Sequence, residues 1–453
     1  MFLTNLTRYN EIGANSYLLE SRGSRLVLDS GMHPKREARD ALPDLGLLAG
    51  KDVDGIVITH SHHDHIGSLP VTQRTCPGAD VFMTELTALL SDAMLHNSVN
   101  VMTSQREELG IKDYPFFTHR EVEEAVLRWR KLRVGRGVDV GADARITFFD
   151  AGHIPGSAGV RIEANGMKLF YTGDVQFEDQ SFCLGADFPR EHVDVLLMET
   201  TRGAAARAQH YTRETEIERF ASVVRRAFER GGAALVPVFA LGKTQEFLLL
   251  IHECKEQGLL PWDTPVHLGG LGTKLTQIID RYNGPIRRNR KGFELLRDTG
   301  VHLPGKKRRG PIDAIPGHLY ALSSGMMTEN TTSNVFARTF IDNPRNAVCF
   351  VGYADPESIA GAVLAAKPDD EVVLDHRWPP VPLRAEVSRF DFSGHATRDD
   401  LRAFARDVKP KKIVLVHGEP DALDWFSGVL KKDLPDTEIL IPLPGVPVDL
   451  ACS

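Results

Sequence analysis

Short apolar runs alternate with helical patterns along most of the chain. Leu18–Leu19, Leu26–Leu28 and Ile56–Thr59 predict strands, with turns at Gly23 and Gly31. Residues 84–134 predict mainly helix, clearest over Glu121–Arg130. Ile146–Phe149, Lys168–Thr172 and Val193–Met198 predict strands again. Over 214–230, Ile217, Phe220, Val224 and Phe228 recur every three or four positions, which predicts a helix buried along one stripe. A buried strand over Ala233–Phe239 and a helix over Thr244–His252 follow. This alternation across about 208–350 predicts a second α/β unit with a parallel sheet. After 385 come a strand (Glu386–Phe390), a helix (Arg398–Val408), a strand (Ile413–Val416) and a helix (Ala422–Lys431). That last stretch is too short to bury a core of its own and is expected to complete the first unit.

Composition narrows the function classes. Of 453 residues, 42% are hydrophobic and 25% charged, which excludes a disordered, collagen-like or mainly coiled-coil chain. Lys and Arg number 54 against 61 Asp and Glu, so the net charge of −7 excludes a whole-chain polycation. One segment departs from this: residues 281–310 hold ten Lys/Arg against Glu294 and Asp298, a local excess suited to a nucleic-acid backbone. Five cysteines without CxxC spacing favour a reducing compartment over a disulfide scaffold or zinc ribbon. There is no apolar run of about 18 residues, so no membrane helix is expected. Arg8, Asn10 and Glu11 oppose a signal peptide, and the expected location is the cytoplasm.

The loudest chemical signal is His60-Ser61-His62-His63-Asp64-His65, directly after the apolar strand at Gly55. In an extended or turning segment, side chains 60 and 62 point the same way and can share one cation. Positions 64 and 65, past the turn, can reach another. Imidazole nitrogen and carboxylate oxygen are ligands that Zn²⁺ takes. His63 falls at an unmatched position and is expected to be a neighbour. Three further strand ends carry matching groups: His153 after Phe148–Phe149, Asp174 after Leu169–Thr172, and His417 after Ile413–Val416.

These motifs resemble the metallo-β-lactamase superfamily of dinuclear hydrolases. The resemblance implies that His60, His62 and His153 hold one metal, that Asp64, His65 and His417 hold a second, and that Asp174 bridges both. The ions implied are two Zn²⁺ per chain, with Mn²⁺ as the alternative. Further segments narrow the likeness: Glu199-Thr200-Thr201-Arg202-Gly203 after a strand, Pro237-Val238-Phe239-Ala240-Leu241-Gly242-Lys243, Ser323-Ser324-Gly325, Gly352-Tyr353 and Ser393-Gly394-His395. Together they are similar to the β-CASP group of nucleases. The implied fold class is α/β: an αββα sandwich, residues 1–207 with 384–453, carrying an inserted β-CASP domain over 208–383.

The implied activity is phosphodiester hydrolysis by hydroxide generated between two metals, with Asp64, Glu199 and His395 catalytic. His395 is the candidate general acid, because imidazole titrates near neutrality, and Glu199 orients it. The chain departs from the family at Thr200–Arg202 and at Gly242–Lys243, where Gly-Arg is usual. Lys243 cannot belong to a P-loop, because the required first glycine would be Pro237. It is expected to contact phosphate at a helix N-terminus. Ser324, Gly325, Arg287 and Arg288 are the other expected substrate contacts. RNA is the expected partner ahead of DNA, and a homodimer is compatible with the pattern. A DNA exonuclease of the same fold is one competing reading. A small-ester or thioester hydrolase is another, opposed by the insert and by His395.

Overall fold

The computed structural model describes residues 1–303 and 314–452. Two seven-stranded sheets pack face to face. The first runs, in spatial order, Pro447–Asp449, Phe2–Asn5, Tyr17–Glu20, Arg25–Leu28, Gly55–Val57, Asp80–Thr84 and Trp129–Leu132. The second runs Glu438–Leu440, Lys412–Val416, Val195–Glu199, Met167–Tyr171, Ala158–Ala164, Ala144–Asp150 and Gly137–Val140. Side-chain alternation divides the work of each strand. Leu26 and Leu28 meet Ile146, Phe148, Ile162 and Leu169 between the sheets, whereas Val27 turns to an outer core with Ile66 and Leu95. Leu196, Ile413 and Leu415 likewise turn outward, onto Leu401, Phe404 and Phe426. Both sheets are therefore covered on their outer faces by helices, giving a helix–sheet–sheet–helix stack. Central strands buried on both faces read as continuous apolar runs for this reason.

A third sheet has five strands, in the order Val266–Gly269, Leu319–Leu322, Ala234–Pro237, Ala347–Phe350 and Glu386–Arg389, all parallel, and Glu371–Val372 pairs separately with Val381–Pro382. Glu386–Arg389 pairs with Ala347–Phe350, so the chain leaves this sheet after Arg389 rather than at the expected 383/384 boundary. That strand lies at the sheet edge and is largely polar, which hid its membership. The segment beyond it supplies Lys412–Val416 to the second sheet and Pro447–Asp449 to the first.

The expected helix over Glu121–Arg130 also differs. It spans His119–Val126, and Trp129–Leu132 pairs in parallel with Asp80–Thr84. Trp129 Nε1 donates to Gln73 Oε1 at 3.1 Å, and this burial overrides the helical pattern of the sequence.

The 25-residue helix Glu85–Leu109 packs against Leu271–Arg281 of the insert. Tyr282 Oη donates to Glu85, Asn330 Nδ2 to Glu108, and Lys35 pairs with Asp355, so side chains tie the two units on several sides. Among the described residues, no helix is long and apolar enough to cross a membrane. Lys306, Lys307, Arg308 and Arg309, part of the basic run, lie outside the described residues.

Candidate metal centre

The strand Gly55–Val57 runs into Ile58 and Thr59 and then turns at His60–His62 into the one-turn helix His63–Ile66. The turn throws His60 and His62 to one side and Asp64 and His65 to the other. Two clusters result: His60, His62, His153 and Asp174 in one, and Asp64, His65 and His417 in the other. Within each cluster the candidate ligand atoms lie within 4.8 Å of one another. Asp174 joins them. Its Oδ2 is 3.5 Å from both His60 Nε2 and His65 Nε2 and 3.6 Å from His153 Nε2, and its Oδ1 is 3.0 Å from His417 Nδ1. His63 belongs to neither cluster.

The hydrogen bonds on the far side of the imidazoles decide what these clusters need. His153 Nδ1 donates to the Gly394 carbonyl at 2.6 Å, which leaves its Nε2 as a lone pair. His62 Nε2 faces the Leu241 carbonyl at 3.4 Å and must carry the proton there, which leaves Nδ1 as a lone pair. These two lone pairs face each other at 3.1 Å, and His60 Nε2 stands 3.2 Å from the same His62 Nδ1. The His62 and His153 acceptors thus face each other with no proton between them. Asp174 Oδ1 is buried and makes no well-aligned hydrogen bond, although His417 Nδ1 lies 3.0 Å away. A cation satisfies every one of these groups, and nitrogen and carboxylate donors are those of zinc-type ions. Burial first, and neighbouring histidines second, hold His60 and His153 well below the usual imidazole range, in the neutral form a metal requires. Burial pushes the Asp64 carboxyl up, but His65 and His417 outweigh it and hold the group ionised.

Residues missed from sequence complete the support. Asp29, at φ 57° after the strand Arg25–Leu28, accepts from His65 Nδ1 at 2.8 Å, Tyr171 Oη at 2.7 Å and the Thr59 amide at 2.8 Å. It thereby orients His65 and anchors the chain just before His60. Its signal was an acid closing an apolar strand, in Leu28-Asp29-Ser30-Gly31. Asn15 Nδ2 lies 3.3 Å from His65 Nε2, and Thr201 Oγ1 lies 3.0 Å from His417 Nδ1.

Glu199 and His395 stand beside this cluster. His395 Nδ1 lies 3.1 and 3.3 Å from the two oxygens of Glu199, whose Oε1 also accepts from the Val175 amide at 2.7 Å. The His395 ring is 4.5 Å from that of His153, centroid to centroid. Burial opposes the imidazolium of His395, but the Glu199 carboxylate outweighs it and raises the pKa.

The expected substrate contacts fare unevenly. Lys243 and Gly325 line one small pocket with Phe239, Gly352 and Tyr353, at the carboxyl ends of the inserted strands. Burial brings the Lys243 ammonium down to about 8, and its Nζ donates to the Phe392 carbonyl. Ser324 Oγ turns away and accepts from the Thr328 amide. Arg287 donates to the Gly185 carbonyl at 2.8 Å and stands 4.0 Å from Asp150, and Arg288 donates to the Phe293 carbonyl. Both arginines serve internal packing in this arrangement.

Residues 9–220 match the metallo-β-lactamase superfamily, 244–363 the β-CASP domain, and 380–442 the Zn-dependent metallo-hydrolase RNA specificity domain. A ribonuclease of Thermus thermophilus is 32% identical over 431 residues, covering 91% of this chain and 92% of that one. Cleavage and polyadenylation specificity factor 73 of Drosophila melanogaster is 28% identical over 427 residues, covering 93% and 60%. The chain thus spans about three-fifths of that relative's length. A solved protein of unknown function from Enterococcus faecalis has a TM-score of 0.57 at 14% identity, covering 99% of both chains.

Proposed function

The chain belongs to the metallo-β-lactamase superfamily, in its β-CASP branch, and from that premise we propose that it is a metal-dependent ribonuclease that hydrolyses phosphodiester bonds. The observation that carries this reading is the meeting of seven candidate ligands from separate strand ends beside the Glu199–His395 pair. His60, His62 and His153 would hold one ion, Asp64, His65 and His417 a second, with Asp174 available to either. Two Zn²⁺ suit this donor set, with Mn²⁺ the alternative. When bound, such ions make water ionise near neutral pH and offset the charge of the scissile phosphate.

The chain's own groups do the rest. Asp29 and the Gly394 carbonyl fix the imidazole tautomers, so that lone pairs point inward. Asp64 accepts a hydrogen bond from the attacking water. Glu199 accepts the Nδ1 proton of His395 in a hydrogen bond and stabilises the imidazolium. His395 then gives its Nε2 proton to the leaving oxygen as the P–O bond breaks, and a new P–O bond to water replaces it. We read the molecule as a discontinuous unit, 1–207 with the stretch after Arg389, around an insert. The active site lies where they meet, in a reducing compartment that suits five free cysteines.

RNA rather than DNA is supported by the match over 380–442 and by the ribonuclease relative. Matched RNA and DNA oligonucleotides, labelled at each end, test it. The expected result is cleavage of RNA that stops on chelation and is absent for DNA. Cleavage of DNA alone, or cleavage unaffected by chelator, overturns the reading.

A further inference from the structure

Residues 391–395 link the inserted sheet to the helix Arg398–Val408, and none of them belongs to a helix or strand. Their carbonyls therefore need other partners. Each one has a side-chain donor. Tyr211 Oη donates to the Asp391 carbonyl at 2.7 Å, Lys243 Nζ to that of Phe392, and His153 Nδ1 to that of Gly394. Gln176 Nε2 donates to both the Ser393 and His395 carbonyls, at 3.1 Å each. Arg202, at the position where the chain departs from its family, donates to the Asp391 carboxylate at 2.7 Å.

Two functional groups hang on this linker. The Gly394 carbonyl sets the tautomer of His153, and His395 stands on Glu199. The donors that hold it come from opposite sides. Gln176 is buried, two residues after Asp174, whereas Lys243 opens the helix Lys243–Glu256 of the insert. The lysine does not present a free ammonium to a substrate. It is half-buried, ends on a carbonyl, and has Glu246, Asp391, Arg213 and Arg202 as its charged surroundings.

We infer that Lys243 and Gln176 are positioning residues: they clamp the 391–395 linker between the insert and the metal cluster, holding His153 and His395 in register. This replaces the phosphate contact expected of Lys243, and it rests on the proposed roles of His153 and His395. Loss of such an outer hydrogen bond typically costs ~10–100-fold in metal affinity or rate.

The test uses the full chain as Lys243→Met, Lys243→Arg and Gln176→Met, with two readouts. In single-turnover cleavage of RNA across a salt series, Lys243→Met should lose roughly 10-fold or more in saturated rate, with KM and its salt dependence unchanged. Lys243→Arg should restore most of the rate. In chelator competition, which needs no turnover, both methionine variants should give up one ion at least about 10-fold more readily than wild type. A raised KM with a flattened salt slope and an unchanged saturated rate would return Lys243 to the phosphate. Unchanged rate and unchanged metal retention would also overturn the clamp. If Lys243→Met does not fold, Gln176→Met carries both readouts. Wild-type protein that cleaves no RNA sinks the ribonuclease reading alone, because metal retention still judges the clamp.

Discussion

Glu199 and Asp150 are both acids at strand ends, and their surroundings treat them differently. Glu199 accepts from the Val175 amide and from His395, so its charge is held where it can stabilise an imidazolium. Glu199→Gln keeps the shape but removes that charge. It should lower the saturated rate by ~10–100-fold while leaving metal content at the wild-type level, checked by kinetics alongside elemental analysis. Loss of metal in this variant would place Glu199 in the metal shell instead. Asp150 ends the strand before His153 and takes only the Gly152 amide at close range. Burial pushes its carboxyl up to about 6. The folded chain therefore holds this proton between about 4 and 6, where the unfolded chain has released it. Folding thus binds more protons there, and stability falls as pH rises through that window. Asp150→Asn keeps an acceptor for Gly152 and removes the buried charge. It should raise stability by up to roughly 3 kcal/mol at pH 8 and by almost nothing at pH 4, measured by urea unfolding at both.

At the scale of elements, the site depends on how helices begin. Helix Arg398–Val408 starts three residues after His395, under a capping box in which Thr397 Oγ1 accepts from the Asp400 amide and Asp400 reaches back to Thr397. Thr397→Ala should cost about 1 kcal/mol in a denaturant titration. Helix Lys243–Glu256 starts at Gly242, with φ 82°, and a Cβ there would stand 2.4 Å from Ile154 Cγ2. Gly242→Ala should cost at least ~1 kcal/mol, because both backbone and contact are wrong for a side chain. It should also loosen metal, since Ile154 follows His153. Elements of this kind were readable where a local rule decides them. The helix at Arg213–Glu229 follows its apolar stripe, and the inserted strands follow their apolar runs. Trp129–Leu132 was not readable, because a partner strand 48 residues earlier, not local pattern, makes it a strand.

At the scale of the molecule, the centre is an assembly of distant segments. His417 stands 3.3 Å from Asp64 although 353 residues separate them, and a strand between Val195–Glu199 and Glu438–Leu440 carries it there. Opposed imidazole lone pairs, with the buried Asp174 carboxylate beside them, make the cluster unfavourable without a cation. Because a metal binds this assembled site and not the unfolded chain, chelation should lower the melting temperature, and excess metal should restore it. A melting temperature indifferent to chelator, in protein shown to contain metal, would contradict the assembled centre. Arg290 pairs with Glu256, and Arg287 and Arg288 end on carbonyls. Neutralising these three arginines should accordingly disturb stability more than the salt dependence of RNA binding, which a melt and a salt titration compare directly.

The amino-acid sequence by itself determined the candidate donor set. His60, His62, Asp64 and His65 lie within six residues, and His153, Asp174 and His417 each close an apolar strand, so spacing and strand polarity suffice to find them. Glu199 and His395 were likewise visible as motifs. Only the tertiary structure decided what orients these groups and what holds them. Asp29, Gln176 and the carbonyls of Leu241 and Gly394 act through hydrogen bonds between segments far apart in the chain, and a backbone carbonyl leaves no mark in the sequence. The same reason applies to Lys243, whose Nζ donates to the Phe392 carbonyl: a lysine's charge is local, but what it points at is set by how two units pack.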